Sequence, residues 1–185
     1  AEVYDPTILT AIQRAFAVAQ HDSLMYDSIP GHLGVKPVPA FVVGGLAYST
    51  EKKAVDWDII TRKVVTSYTA AESIFSAAKD SKDYITYDID TRDSIYTLFK
   101  LYAVENYNFP SAAEISALKR FSIQYMVAGF INHSGDDLSI KLALFDISGN
   151  EIKRITQEEG LLKEDSIKEF EKTIVALTKK LLKIK

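Results

Sequence analysis

Three histidines, His21, His32 and His133, are the first residues to weigh for chemistry, because neutral imidazole is a common metal ligand and proton carrier. They fall near expected loops, with no i, i+4 pair and no HExxH pattern, so the expectation is solvent-facing loop histidines and no metal site. Two carboxylate pairs come next. Asp136 and Asp137 are neighbours at a hairpin turn, where strand geometry sends adjacent side chains to opposite faces and Asp bonds local backbone. Asp88 and Asp90 could share a face at a strand end; Asp90 reads as the N-cap of the next helix, and Asp88 has no assigned role. Val43-Gly44-Gly45-Leu46 invites comparison with a phosphate-binding loop but has neither the GxGxxG nor the GxxxxGK[ST] spacing and no helix directly after it. A strand bulge or a close backbone approach is the expected reading. No serine sits in a GxSxG elbow, and no SxxK motif has partners. The lysines of Lys179-Lys180-Leu-Leu-Lys183 complement a helix C-terminus. No catalytic, cofactor-binding or metal-ligating residue is therefore assigned, and the chain is read as non-enzymatic.

Composition narrows the partners. The 185 residues carry a net charge of −3 and no cysteine, which excludes disulfides and thiolate chemistry and speaks against a general nucleic-acid binder. No apolar run reaches the roughly 18–20 residues of a membrane helix. The chain starts Ala1-Glu-Val-Tyr without Met, so a targeting segment would not be visible in it.

The elements that would hold these residues follow from periodicity. Asp5-Pro6 opens a helix with Ile8, Ala11, Ile12, Ala15, Phe16 and Ala19 on one face, followed by an irregular connector to Pro39. Residues 1–38 are thus a helical arm and connector, and 39–185 a single α/β domain. Ala40–Tyr48 is almost wholly apolar and reads as a central strand. Helical spacing of Trp57, Ile60, Val64, Ala71, Ile74 and Ala78 predicts a long helix over about 56–79, with Thr69-x-x-Glu72 as an internal capping box where it could break. Trp57 could anchor a partner or pack on the sheet. Asp83–Asp90 alternates as a strand, and Asp90 then caps a helix with Ile95, Leu98, Phe99, Tyr102 and Ala103 on its apolar face. Ser111-x-x-Glu114 is a capping box ahead of Ile115, Leu118 and Phe121. Tyr125–Asn132 and Leu138–Phe145 alternate around a short turn, with a third strand beginning near Glu151 and the meander ending at Gln157–Gly160. Glu164-Asp165-Ser166 opens the last helix, with Ile167, Phe170, Ile174, Leu177 and Leu181 as its stripe. Helix-separated early strands need crossovers and the last strands pair as hairpins. The predicted fold is a mixed sheet of about four to five strands with helices packed on it, ending in a β-meander and a helix.

The meander residues Tyr125, Val127, Gly129, Ile131, Gly135, Asp136, Leu138, Ile140, Leu144, Asp146, Gly149, Glu151 and Ile152 form a pattern that resembles the anticodon-binding-domain-like bacterial envelope proteins, the superfamily of the TolB amino-terminal domain, CsgG and LpoB. In that resemblance Gly129, Gly135, Asp136, Asp146 and Gly149 are structural turn positions, with positive φ expected at the turn glycines. The resemblance implies a periplasmic or outer-membrane-associated protein, of lipoprotein type with its anchor upstream, that binds a cell-wall synthase or secretion component. A CsgG-like pore would need long spare alternating segments for membrane strands, and none is found. Fold analogy also raises an RNA-binding module, which the acidic balance opposes.

Overall fold

The computed structural model describes residues 39–51, 57–135, 137–163 and 166–185, with backbone alone at 57–61. The arm helix, the connector, His21, His32, Asp136, Glu164, Asp165 and the Trp57 side chain lie outside the described residues.

Five strands make one sheet in the order β2-β1-β3-β4-β5: β1 (Ala40–Thr50), β2 (Ile85–Tyr87), β3 (Tyr125–Ser134), β4 (Asp137–Asp146) and β5 (Lys153–Leu162). β1 runs parallel to β2 and β3, while β3–β4 and β4–β5 are antiparallel. Parallel neighbours require crossovers, which α1 (Trp57–Ala78) supplies between β1 and β2, and the pair α2 (Ile89–Leu98) and α3 (Ala112–Arg120) between β2 and β3. α4 (Ile167–Leu182) closes the chain.

The apolar run of β1 is explained by its place between two layers. Phe41, Val43, Leu46 and Tyr48 join α1 and α4 in one core, with Ala70, Ala71 and Ile74 from α1 and Phe170, Ile174, Leu177 and Leu181 from α4. Ala40 and Val42 point the other way, into a second core with Ile95 and Tyr96 of α2 and Ile115 and Leu118 of α3. Each large aliphatic or aromatic side chain so buried contributes on the order of 1.5–3 kcal/mol. Gly160 in β5 lets α4 sit close: a Cβ there would lie 3.1 Å from Leu177 Cδ1.

Several boundaries differ from the sequence expectation. β2 is only three residues long, because Asp88, not Asp90, is the N-cap of α2: its carboxylate accepts the Thr91 amide at 2.8 Å, placing Asp90 in the first turn. α2 stops at Leu98, and Lys100 and Ala103 both adopt φ 57, so Tyr102 leaves the apolar stripe and is 71% exposed. α1 is continuous through Thr69, but its packed face passes through Ser67, Ala70, Ala71 and Ile74, leaving Val64 exposed. Ile167 is also exposed, at the first turn of α4. β5 continues through Gln157–Gly160 to Leu162, carried by its ladder with β4. His133 is a buried residue of β3, not a loop histidine; its Nδ1 lies 3.1 Å from the hydroxyl of Tyr48, whose phenol pKa burial raises against the opposing charge of Arg62. The Ser111–Glu114 capping box forms as read, with both reciprocal hydrogen bonds present.

Candidate interaction surface

The surface starts at the double glycine of β1. The β1–β3 register slips between Val43 and Leu46, so the strand bulges at Gly44-Gly45. Short β2 does not reach this far along β1. The gap is filled by the loop after α2: Leu46 N–H donates to Asn106 O at 2.7 Å and Tyr48 N–H to Tyr107 O at 3.0 Å. A Cβ at Gly45 would stand 1.7 Å from Asn108 O, so the loop can come this close only against glycine.

Arg92 locks the arrangement. It is 1% exposed, and its Nη1 donates to Val43 O at 2.8 Å while Nη2 donates to Asn106 Oδ1. Its charge is met by Asp93, 2.9 Å away, and its guanidinium lies 5.6 Å from the Tyr96 ring centroid. Burial pushes the Tyr96 phenol pKa upward, with Arg92 opposing. On the loop's other side the Lys63 ammonium lies over the Tyr107 ring at 4.4 Å.

A loop held this way presents Phe109 rigidly. Its ring lies parallel to Phe130 of β3, with centroids 6.1 Å apart, and edge-on to Phe145 of β4 at 5.7 Å. These rings begin a sheet face that α2 and α3 cover only at its start, where Met126 and Ala128 are buried in the second core. The ladders set it out in rows: Met126–Phe145–Arg154, Ala128–Ala143–Gln157, Phe130–Lys141–Glu159 and Asn132–Ser139–Leu161. Phe130 is 52% exposed and Leu161 59%. A groove of about 550 Å³ runs along these rows, floored by Ala128, Gly129 and Ala143 and walled by Phe130, Phe145 and Ile152. It meets a second groove of about 460 Å³ at Ile152, which Lys119 and Arg120 border. Such a surface, with aromatic walls on a fixed scaffold and an exposed polar rim, is suited to holding another molecule by burial and hydrogen bonding.

The positions singled out in the sequence are spread around this face. Gly129 lies within β3, where a Cβ would come 2.0 Å from Lys141 O, and so helps to shape the groove floor. Gly135 has φ +60 in the β3–β4 turn. Gly149 lies between β4 and β5 without positive φ, in contrast to the expectation, and its carbonyl accepts from Lys119 Nζ at 2.6 Å. Asp146 ends β4, and its Oδ1 accepts the Ser148 hydroxyl at 2.6 Å and amide at 2.9 Å. These two bonds, the hydroxyl first, hold its carboxyl pKa below the ordinary value; burial opposes them, and Lys153 adds the least. The structure brings Gly129 into the first groove and Gly149 into the second, while Gly135 and Asp146 line neither. Arg92 and Phe130 were not singled out, although both carry a signal. Arg92 falls at i+3 from Ile89 and i−3 and i−4 from Ile95 and Tyr96, on the buried stripe of α2. Phe130 is a large apolar residue on the outward phase of an alternating strand. Among the described residues no group of three His, Asp or Glu side chains is placed to hold a metal ion, and no helix is long and apolar enough to cross a membrane.

No family model matches the chain, and no curated protein matches it in sequence. Solved structures do. The fold resembles that of the LpoB carboxyl-terminal domain. The domain from Salmonella enterica aligns over 80% of this chain and 98% of its own, with 10% identity and a TM-score of 0.47. TolB from Acinetobacter baumannii aligns over 80% of this chain and 29% of its own, with 11% identity and a TM-score of 0.41. A lipoprotein from Neisseria meningitidis aligns over 69% of this chain and 81% of its own, with 14% identity and a TM-score of 0.39. At these identities the likeness concerns the fold alone.

Proposed function

We propose that this protein is a non-enzymatic component of the bacterial envelope that works by docking a partner protein onto the open face of β3, β4 and β5. The observation that carries the docking is the aromatic set Phe109, Phe130 and Phe145, held on a fixed scaffold beside a groove that no described helix covers. Aromatic side chains fixed in this way lose little conformational freedom on binding, which favours them as interface anchors. The envelope location is supported by the residue pattern of the meander from Tyr125 to Ile152. In this reading residues 39–185 form the docking domain, residues 1–38 are an arm leading to it, and a lipid anchor lies upstream. The partner is a cell-wall synthase or secretion component, and the turns at Gly135–Asp136 and Asp146–Gly149 act as scaffold.

The test is co-purification from detergent-solubilised bacterial envelopes with the wild type, Phe130→Ser, and Lys172→Ser on the exposed surface of α4. A partner protein retained by wild type and Lys172→Ser but lost from Phe130→Ser is expected. Equal retention by all three would contradict the assignment of this face.

A further inference from the structure

We infer that the occupant of the open face is an acidic, extended polypeptide segment with aromatic or aliphatic anchors. The inference rests on the docking reading above and adds the chemistry of what docks. Charge is its first support. The chain carries a net charge of −3, yet the charged side chains lining the two adjoining grooves are Lys141 and Arg154 in one and Lys119 and Arg120 in the other, with no Asp or Glu among the described lining residues. Lys141 is paired with Glu159 at 3.1 Å, and both groups are exposed, so that pair is weak and exchangeable. Among the described residues Arg154 and Lys119 touch neutral groups, the Gln157 amide oxygen at 2.8 Å and the Gly149 carbonyl at 2.6 Å, while the Gln157 amide nitrogen donates on to the exposed Glu159 carboxylate at 2.8 Å. A cationic rim on an acidic chain selects and steers a negatively charged partner.

The second support separates a polypeptide from other anions. β5 ends the sheet, and its outer edge has no strand partner among the described residues. After the irregularity at Ile155, the ladder of β5 with β4 runs in regular register from Thr156 to Leu162, so its outer N–H and C=O groups form a straight row beside the groove. Only another polypeptide backbone can pair with such a row, while its alternate side chains lie on the face. A segment paired to that edge would lie beside Arg154, Gln157 and Leu161, with Lys141 and Phe145 one strand further in, so its carboxylates would meet Arg154 and Lys141 and its apolar anchors Leu161 and Phe145. Nucleic acids and anionic lipids match the rim charge but not the strand edge.

The experiment titrates the isotope-labelled full chain with synthetic peptides and reads backbone amide shifts and affinity. The probes are a peptide alternating Asp with Phe and Leu, the same peptide with Lys for Asp, and the same peptide with Ser for Phe and Leu. Single-stranded RNA and phosphatidylglycerol vesicles are run beside them. The Asp/Phe/Leu peptide is expected to shift the amides of Thr156–Leu162 most and those of Lys141 and Ala143 less, and to bind roughly ten-fold tighter than the Lys version. Its affinity should fall several-fold between about 50 mM and about 500 mM NaCl. The exposed double variant Lys119→Glu/Arg154→Glu should reverse the order of the two peptides. Equal binding of acidic and basic peptides, preferential binding of RNA or vesicles, or concentration-dependent self-association that protects the Phe130 face would each overturn the inference. If no peptide binds while Phe130→Ser still loses its envelope partner, the docking reading stands and the peptide chemistry falls.

Discussion

The guanidinium of Arg92, in the first turn of α2, donates at 2.8 Å to the carbonyl of Val43, 49 residues earlier in β1. That carbonyl borders the bulge, and the same guanidinium reaches Asn106 in the loop that carries Phe109. One buried cation thus ties the strand irregularity to the aromatic surface. Arg92→Ala would leave a buried carbonyl and Asn106 without their donor and remove a charge from Asp93. It is expected to cost about 2–4 kcal/mol by denaturant unfolding. Arg92→Lys should recover only part of this, because an ammonium cannot reproduce the planar fork. Unfolding midpoints equal to wild type for both variants would show that the clamp does not stabilise the fold.

Gly45 is the second element of the same device. In Gly45→Ala the new methyl meets Asn108 O, and the clash can be relieved only by moving backbone. A loss of about 1–3 kcal/mol is expected. Because the Leu46 and Tyr48 amides donate to the loop, their hydrogen exchange should accelerate more than that of β4 amides such as Ile140. A uniform acceleration would mean that the loop is not displaced locally.

Asp146 gives a pH dependence of known sign. A carboxyl whose folded pKa lies below its unfolded value of about 3.9 stabilises the fold above that pH and loses the contribution as pH falls through the folded value. Asp146 is held low first by the Ser148 hydroxyl and then by the Ser148 amide. Ser148→Ala should therefore raise the Asp146 pKa toward its ordinary value in a carboxyl NMR titration and slightly reduce stability above about pH 4. The stability difference should shrink in more acid solution. The residue is only part-buried at the end of β4, so the effect is small. An unmoved pKa would exclude the Ser148 hydroxyl as its cause.

Much of this architecture is written in local pattern. Alternation in Tyr125–Asn132 and Leu138–Phe145 marks the hairpin because one phase must face a core, and Ser111 with Glu114 marks a helix start because those side chains satisfy orphan amides. The glycine pair in β1 was readable as a bulge or close approach, and it is both. What pattern did not disclose depends on distant partners. DYITYDID fits a strand throughout, and only the Asp88–Thr91 hydrogen bond ends it at Tyr87. His133 stands in a polar-looking Asn-His-Ser segment, and its burial follows from Tyr48 on the neighbouring strand. The surface itself is assembled from Phe109 in a loop, Phe130 and Phe145 in two strands, and Arg92 beneath them; their meeting is a product of topology that no spacing encodes.

Phe130 separates binding from folding. Its ring is half exposed and stacks on Phe109, so Phe130→Ser should lose about 1 kcal/mol of stability and keep the fold, as read by unchanged amide shifts in α1 and α4. A global change of the spectrum would make Phe130 a core residue and remove it from the docking surface.

The most direct measurement places a photoreactive benzoyl-phenylalanine at Phe130 in one sample and at Lys172 of α4 in another, and irradiates cells that produce each protein. The account predicts one discrete adduct between the Phe130 position and a different protein, absent from the Lys172 position. No adduct at Phe130, or the same adducts from both positions, would contradict the assignment of the β3–β5 face as the docking surface.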